Sequence, residues 1–321
     1  MCKSQTHQGF TLIELLVVIV SVGLLMTLLL SALQSAREAA RRTSCINKLK
    51  QIGIALGAYE SANQYLPPGG VMYKPCCDNE SYTTWTIELL PHLDHPGLFA
   101  RYRQDEYNES VANRSVVSSF VGEYVCPSEP NVDQAVRPDS GPGARFKWMP
   151  GSYRAMTGRA ERGNWFGNYF KGSWPLPLSY RGPMHTVGNS GPTRGRTSKL
   201  KPVRLSEIRD GQSHTIAVGE RSLELPDNRQ RRTLWAYSYG SYNKSAAYLQ
   251  RRIFWRDYER CTNPDPPKVY HSMPCKHGWS SYHESVTNFL YCDGAVRSLA
   301  TLEVDLDVFV AQATIDGREI D

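Results

Sequence analysis

The sequence predicts an α+β fold in which a long N-terminal helix packs on an antiparallel β-sheet body that carries large loop insertions. Two observations lead to this prediction. Residues 10–33 are almost wholly apolar and contain a single charge, and no proline occurs before Pro67. The rest of the chain is rich in Tyr, Trp, Gly and Pro, which is typical of strands and loops rather than of a helical bundle.

Length and composition limit the possible classes of protein. The chain has 321 residues, enough for one or two domains. Hydrophobic residues make up 40% and charged residues 21%, so a packed core is expected and wholesale disorder is not. A mean hydropathy of −0.45 excludes a protein with many membrane spans. The net charge of +6 does not by itself indicate a partner.

The N-terminal helix is predicted in two parts. Residues 10–33 are long enough to cross a bilayer, which needs about 20 apolar residues in a helix. Residues 34–62 extend the helix, because apolar positions recur there at helical spacing and predict one face that packs on the body, residues 63–321. Gly53 and Gly57 are expected to permit close approach of that body.

The body shows several runs with the composition of strands. Asp293-Gly294, between two such runs, predicts a two-residue hairpin turn in which both residues have positive φ. Short helices are expected within Ser81–Tyr102 and over Asp305–Thr314. The predicted strands lie at Glu123–Cys126, Thr215–Glu220, Thr233–Tyr242 and Thr287–Cys292.

The N-terminus resembles the type IV prepilin signal. Gly9 to Leu16 read GFTLIELL, which agrees with that signal position by position. The resemblance implies that residues 1–9 are a leader and that a prepilin peptidase cleaves between Gly9 and Phe10 and methylates the new amine. It also implies that Glu14 pairs with the N-terminal amine of a neighbouring pilin-like subunit during assembly. The alternative is that Glu14 is a tolerated charge near the membrane surface.

The body is similar to a bacterial family of pilin-like proteins of unknown function that carry a C-terminal His-x9-Asp-Gly motif. His283, Asp293 and Gly294 have that spacing, and VGEYVCPSE at 121–129 and FLYCDGAVRSLA at 289–300 are further matching segments. The resemblance implies a single-pass inner-membrane protein with an extracytoplasmic, pilin-like body, related to the pseudopilins of type II secretion.

One observation favours the opposite orientation. Three arginines follow the apolar run, whereas the leader contributes only Lys3, and the positive-inside rule would place the body in the cytoplasm. The prepilin resemblance outweighs this rule because eight consecutive positions agree. The arginines are Arg37, Arg41 and Arg42.

The His-x9-Asp-Gly motif in the C-terminal part is expected to be structural. Asp293 and Gly294 are expected to form the turn, and His283 is expected to hold that turn through a hydrogen bond, with metal ligation as the alternative. Major pseudopilins bind calcium through C-terminal carboxylates, but the acidic residues here lack the spacing of a calcium loop, so no metal is predicted. Those acidic residues are Asp305, Asp307, Asp316 and Glu319.

Eight cysteines are consistent with disulfides in an envelope protein. Cys2 belongs to the leader, which leaves an odd number. Cys261 and Cys275 close a short, proline-containing segment and are a plausible disulfide. A bond among Cys45, Cys126 and Cys292 remains open. The sequence contains no C-x-x-C, which argues against zinc.

Residues 140–201 are predicted to be a basic, aromatic insert, which contains eleven Arg and Lys residues and a single acidic residue, a Glu. The simplest interpretation is a long surface loop. The alternatives are a surface for a polysaccharide or for a nucleic acid, since cations and aromatic rings bind both phosphates and flat rings. The residues proposed for polymer binding are Arg162, Trp165, Tyr169, Lys171 and Trp174.

Two functions therefore compete at this point. The first is a pilin-like or pseudopilin membrane protein of a type II secretion or type IV pilus-like system. The second is a membrane-tethered receptor for polysaccharide or nucleic acid. Since no nucleophile elbow, zinc-protease motif or P-loop occurs, the chain is not expected to be an enzyme.

Overall fold

The computed structural model describes residues 11–72, 81–160, 177–188, 200–223, 231–263, 273–283 and 285–317. The chain divides into two compact units, Met1–Thr43 and Ser44–Asp321. The α+β class is confirmed: a long N-terminal helix and a mixed β-sheet body are present.

Helix α1 runs without a break from Leu12 to Asn63, over 52 residues, close to the predicted limits. Within the first unit its large apolar side chains, from Leu12 to Leu33, are exposed. Among the described residues, this is the one helix long and apolar enough to cross a membrane. After the helix, Gln64 takes a left-handed φ of 65°, a common way for a helix to end.

Within the second unit α1 packs against the sheet through one stripe of buried side chains. Gly53 is a point of close approach, because a Cβ there would lie 2.9 Å from Cδ1 of Leu290. The same expectation for Gly57 is wrong: it faces away from the body, and a Cβ would meet nothing within 4 Å. The buried stripe consists of Cys45, Leu49, Ile52, Ala55, Leu56 and Tyr59.

The described residues form a two-stranded and a five-stranded sheet. The strands are β1 (Gly70–Met72), β2 (Tyr153–Arg159), β3 (Thr186–Gly188), β4 (Ile216–Glu220), β5 (Lys244–Ala247), β6 (Val286–Tyr291) and β7 (Val296–Ala300). The larger sheet has the order β5-β2-β4-β6-β7, and β1 pairs with β3. The larger sheet is mainly antiparallel, as predicted: β2–β4, β4–β6 and β6–β7 are antiparallel pairs, and β5 is added parallel to β2.

Six further α-helices in the described residues are short. They are α2 (Trp85–Glu88), α3 (Pro96–Arg101), α4 (Arg114–Val117), α5 (Tyr258–Thr262), α6 (Met273–Lys276) and α7 (Leu306–Ala311). The helical turns predicted within Ser81–Tyr102 correspond to α2 and α3. The predicted C-terminal helix corresponds to α7, and the side chain of Asp305 accepts hydrogen bonds from its first amides.

Two of the four predicted strands are wrong. Glu123–Cys126 begins inside a 3-10 turn, Gly122–Tyr124, and belongs to no strand. Thr233–Tyr242 has one isolated bridge, between Leu234 and Pro150, and is otherwise irregular. Its aromatic side chains enter a ring cluster instead, in which Tyr237 stacks on Trp148 with ring centroids 4.2 Å apart. The aromatic residues of this segment therefore pack in the core and do not mark a paired strand.

The interpretation of residues 140–201 as a loop insertion is also wrong in part. β2, which pairs with both β4 and β5 inside the larger sheet, lies in this segment. Arg154, near the start of this strand, is buried. It donates hydrogen bonds to Thr233 Oγ1 and to the backbone oxygen of Lys276. A positive charge that the sequence assigns to the surface is thus part of the interior.

The β6–β7 hairpin is present, with Val286 opposite Ala300 and Leu290 opposite Val296. Its turn differs from the prediction. The backbone N–H of Gly294 donates to the Tyr291 oxygen at 3.0 Å, and of the two turn residues only Gly294 has positive φ, at 83°. This pattern matches a type I turn followed by a left-handed glycine, in which Asp293 needs no strained backbone.

Candidate functional site

The end of β4 and the segment before β6 bring two buried ionisable side chains together. Glu220 is the last residue of β4 and His283 precedes β6, yet Nε2 of His283 lies 3.6 Å from Oε1 of Glu220, and each side chain is 1% exposed. The two Glu220 oxygens also accept hydrogen bonds from the backbone N–H and the side-chain amide of Asn288, at 2.8 and 3.0 Å. Burial raises the pKa of Glu220, and the Asn288 hydrogen bonds oppose this shift.

A disulfide completes this cluster. Cys45, on the buried stripe of α1, is bonded to Cys126. Nε2 of His283 lies 3.6 Å from Sγ of Cys126, so the imidazole contacts both the disulfide and Glu220. One ligand atom from each of Cys45, Cys126, Glu220 and His283 lies within 4.8 Å of the others. We refer to these four residues as the His–Glu–Cys cluster.

A cavity of about 310 Å³ lies beside the start of β6. Of the four cluster residues, His283 is the one in its lining. The lining is mostly polar, which suits water or an ion better than an apolar ligand. The lining residues are Phe254, Arg256, Ser281, His283, Ser285, Val286, Thr287 and Thr301.

The expectation that His283 holds the Asp293-Gly294 turn is wrong. His283 precedes β6 and the turn follows it, so the six-residue strand Val286–Tyr291 separates them. The turn is held locally, because Oδ1 of Asp293 accepts a hydrogen bond from the Ala295 amide at 2.9 Å. Sequence spacing identified His283 as notable but gave no signal of its neighbours, since Cys126 lies 157 positions away.

Cys261 and Cys275 are joined by a disulfide, which links α5 to α6. Cys292 is a free thiol within the described residues.

Asp316 forms an ion pair with Arg209 at 2.8 Å, and Asp305 caps α7. Among the described residues, the C-terminal acidic side chains do not gather their oxygens into a metal-binding group; Glu319 lies outside those residues.

A second buried polar network surrounds Glu129. Its Oε2 accepts hydrogen bonds from the hydroxyls of Ser152 and Ser222, at 2.6 and 2.9 Å. Burial raises the pKa of Glu129 to about 7, although these hydrogen bonds and nearby arginines oppose the shift. The network connects the turn after Cys126 to Ser152, just before β2, and to Ser222, just after β4.

At the start of α1, Thr11 and Glu14 form a reciprocal cap. The Glu14 amide donates to Oγ1 of Thr11 at 3.3 Å, and the Thr11 amide donates to Oε2 of Glu14 at 2.9 Å. This is a capping box, a T-x-x-E pattern that the sequence analysis did not consider. Gly9 and Phe10 lie outside the described residues.

The residues proposed for polymer binding, Arg162, Trp165, Tyr169, Lys171 and Trp174, lie outside the described residues. The described cations of the same segment have contacts of other kinds. Arg154 is buried, and the guanidinium groups of Arg145 and Arg159 lie over the rings of Phe146 and Tyr180, at 5.0 and 5.1 Å from the centroids.

Comparison with known proteins places the chain in one family. No curated protein and no solved structure matches it significantly. Residues 34–307 match the family described as "Protein of unknown function (DUF1559)", and the matched part includes the second half of α1, the sheet and the His–Glu–Cys cluster. Because this match covers most of its length, the chain belongs to that family of proteins of unknown function.

Proposed function

We propose that the protein is a pilin-like, pseudopilin-type subunit of the inner membrane. In this proposal a prepilin peptidase cleaves between Gly9 and Phe10, and the mature chain assembles in, or associates with, a type II secretion or type IV pilus-like system. The body lies outside the cytoplasm, and the protein has no catalytic activity of its own.

The observation that carries the proposal is the division of helix α1. One unbroken helix, Leu12–Asn63, has an exposed apolar part up to Leu33 and then a buried stripe that begins at Cys45. The first part has the length and composition needed to cross a bilayer, and the second part joins the helix to the core of the body. A subunit that leaves the membrane for a fibre requires such a helix, since its apolar part must exchange lipid for neighbouring helices.

Two disulfides support the extracytoplasmic location of the body. Cys45–Cys126 and Cys261–Cys275 are both bonded, and disulfides persist in oxidising compartments such as the periplasm. This supports the orientation implied by the prepilin resemblance over the one favoured by the arginines that follow the apolar run.

Glu14 is the assembly residue in this proposal. Its carboxylate is exposed at the start of α1 and contacts only the backbone and hydroxyl of Thr11 among the described residues. After cleavage, the amine of Phe10 becomes the chain terminus, one residue before Thr11. A carboxylate within an apolar segment costs free energy unless it is paired, and the amine of a neighbouring subunit provides the opposite charge.

The experiment compares Glu14→Ala with Glu38→Ala in cells that contain the prepilin peptidase and the assembly machinery. Glu38 is the matched control because it lies on the same helix beyond the apolar run and pairs with Arg41. Glu14→Ala is expected to be cleaved but to remain in the membrane fraction, whereas wild type and Glu38→Ala appear in sheared fibres. Equal recovery of the two variants in the fibres would contradict the assembly role.

The alternative function, a tethered receptor for polysaccharide or nucleic acid, depends on residues 161–176, which lie outside the described residues. No contact among the described residues favours it. Deletion of these residues, followed by measurement of polymer retention on intact cells, tests it separately from fibre assembly.

A further inference from the structure

The His–Glu–Cys cluster contains two buried ionisable side chains that a structural disulfide does not require. A disulfide that joins α1 to the body needs no ionisable neighbours, yet His283 and Glu220 are buried against it, with side chains 1% exposed. Burial of ionisable groups is costly unless they pair or bind a metal ion. In the reduced protein the same position presents two thiols, an imidazole and a carboxylate.

Two distances within the cluster are close to those of tetrahedral Zn²⁺ coordination. In such a site the sulfur and nitrogen ligands lie about 3.6 Å apart, and the nitrogen and oxygen ligands about 3.4 Å apart, given the usual metal–ligand bond lengths. Both the Cys126 Sγ–His283 Nε2 and the His283 Nε2–Glu220 Oε1 distances are 3.6 Å. The two sulfurs must separate to about 3.8 Å once the bond is broken, which rotation about one Cα–Cβ bond permits.

The surroundings of the cluster also suit a metal. Two hydrogen bonds from Asn288 orient the Glu220 carboxylate, as outer partners commonly orient ligands in metal sites. The polar cavity of about 310 Å³ has His283 in its lining. Two thiolates with one imidazole and one carboxylate favour zinc over magnesium or calcium, which prefer oxygen ligands.

We propose that Cys45, Cys126, Glu220 and His283 bind one Zn²⁺ in the reduced chain, and that formation of the Cys45–Cys126 disulfide releases it. A newly exported chain contains both cysteines as thiols, so zinc can join α1 to the body before oxidation does. The zinc site does not depend on fibre assembly, but its oxidation rests on the proposed extracytoplasmic location of the body; the test below uses purified protein and therefore fails or succeeds separately from that proposal.

Zinc binding displaces one proton from each thiol. A protein disulfide of a thiol–disulfide oxidoreductase then accepts two electrons from the two thiolates and two protons from solvent, and becomes a dithiol. The Zn–S bonds break and the Cys45–Cys126 bond forms. Only Glu220 and His283 then remain as ligands, and because two ligands hold Zn²⁺ more weakly than four, the ion dissociates.

The test uses the full-length, detergent-extracted protein, reduced with a phosphine under anaerobic conditions and titrated with Co²⁺ as a spectroscopic substitute for Zn²⁺. The reduced wild type is expected to show the visible absorption of tetrahedral, thiolate-bound Co²⁺, which one equivalent of Zn²⁺ abolishes. The oxidised protein is expected to show none. Cys45→Ser/Cys126→Ser, which retains Cys261, Cys275 and Cys292, measures any contribution of the other thiols.

Matched variants separate ligands from merely buried residues. His283→Gln is compared with His277→Gln, since both histidines are buried, and Glu220→Gln is compared with Glu129→Gln for the same reason. The two cluster variants are expected to weaken Zn²⁺ binding at least about tenfold, because loss of even an outer-shell partner typically costs 10–100-fold. The two controls are expected to leave it unchanged.

Two results would overturn the proposal. The first is a reduced wild type with the same Co²⁺ spectrum as Cys45→Ser/Cys126→Ser. The second is a His283→Gln variant that binds Zn²⁺ as tightly as His277→Gln. If the variants do not fold, as judged by circular dichroism, the test uses the wild type alone. The Co²⁺-loaded wild type is treated with a disulfide-containing oxidant, and release of the metal is expected. Retention of the metal after oxidation would contradict the proposal.

Discussion

Nε2 of His283 lies 3.6 Å from Oε1 of Glu220 although 63 positions separate them, and both side chains are 1% exposed. Glu220 is also the acceptor for two Asn288 donors. The pair therefore ties β4 to β6 and to the segment before it, and His283 also contacts Sγ of Cys126 in the Cys45–Cys126 disulfide.

Removal of the Glu220 carboxylate should destabilise the body. Glu220→Ala leaves the two buried Asn288 donors without their acceptor and removes the carboxylate beside His283. Each lost partner of a buried donor costs about 1–3 kcal/mol. We expect a decrease of about 2–4 kcal/mol in the free energy of unfolding, measured by denaturant titration of the oxidised protein. The exposed Glu303→Ala should change it by less than about 0.5 kcal/mol. Equal effects would mean that the Glu220 contacts contribute nothing.

The Cys45–Cys126 disulfide should stabilise the body more than Cys261–Cys275 does. Their sequence separations are 81 and 14, and the loop-entropy relation gives about 4–5 and about 3 kcal/mol respectively. Replacement of each pair by serine, followed by thermal unfolding under oxidising conditions, compares them. A larger loss for the Cys261–Cys275 pair would contradict the importance of the link between α1 and the body.

Stability should depend on pH through Glu129. Its folded pKa, about 7, is above the ordinary value of 4.5, so between these values the folded protein binds more protons than the unfolded one. Stability is then greatest below the unfolded pKa and falls as pH rises through the folded pKa, by on the order of 3 kcal/mol. Glu129→Gln should remove this decrease, whereas the exposed Glu303→Gln should preserve it. The measurement is the free energy of unfolding from pH 4 to pH 8; an unchanged slope in Glu129→Gln would contradict the assignment.

Two glycine-to-alanine substitutions should change the stability of the protein in opposite directions. Gly294 has a φ of 83°, so Gly294→Ala should destabilise the hairpin by about 1 kcal/mol even though a Cβ would meet nothing within 4 Å. Gly57 is helical and equally open, so Gly57→Ala should stabilise α1 by about 0.5–1 kcal/mol. Melting temperatures of the two variants test this pair. A stabilising Gly294→Ala would show that the turn has a different backbone.

Features that depend on neighbouring residues were predictable from the sequence. The helix limits follow from apolar periodicity and the absence of proline, and the hairpin follows from Asp293-Gly294. Features that depend on distant partners were not. The basic composition of residues 140–201 predicts a loop where β2 lies, yet Arg154 is buried against oxygens supplied by Thr233 and Lys276.

The His–Glu–Cys cluster is a similar case. Its members come from α1, an irregular segment, β4 and the loop before β6, so no spacing in the chain indicates that they meet. The sequence argued against zinc because C-x-x-C is absent, but that motif places two ligands on one local turn. Here the ligand atoms are brought together by the packing of α1 on the sheet.

The proposed function depends on prepilin processing at the start of α1. The most direct measurement is the mass of the N-terminal peptide of the membrane-extracted protein, from cells with and without the prepilin peptidase. We predict a chain that begins with methylated Phe10 when the peptidase is present and one that retains Gly9 when it is absent. A chain that retains residues 1–9 in both cells would contradict the account and leave α1 as an uncleaved membrane anchor.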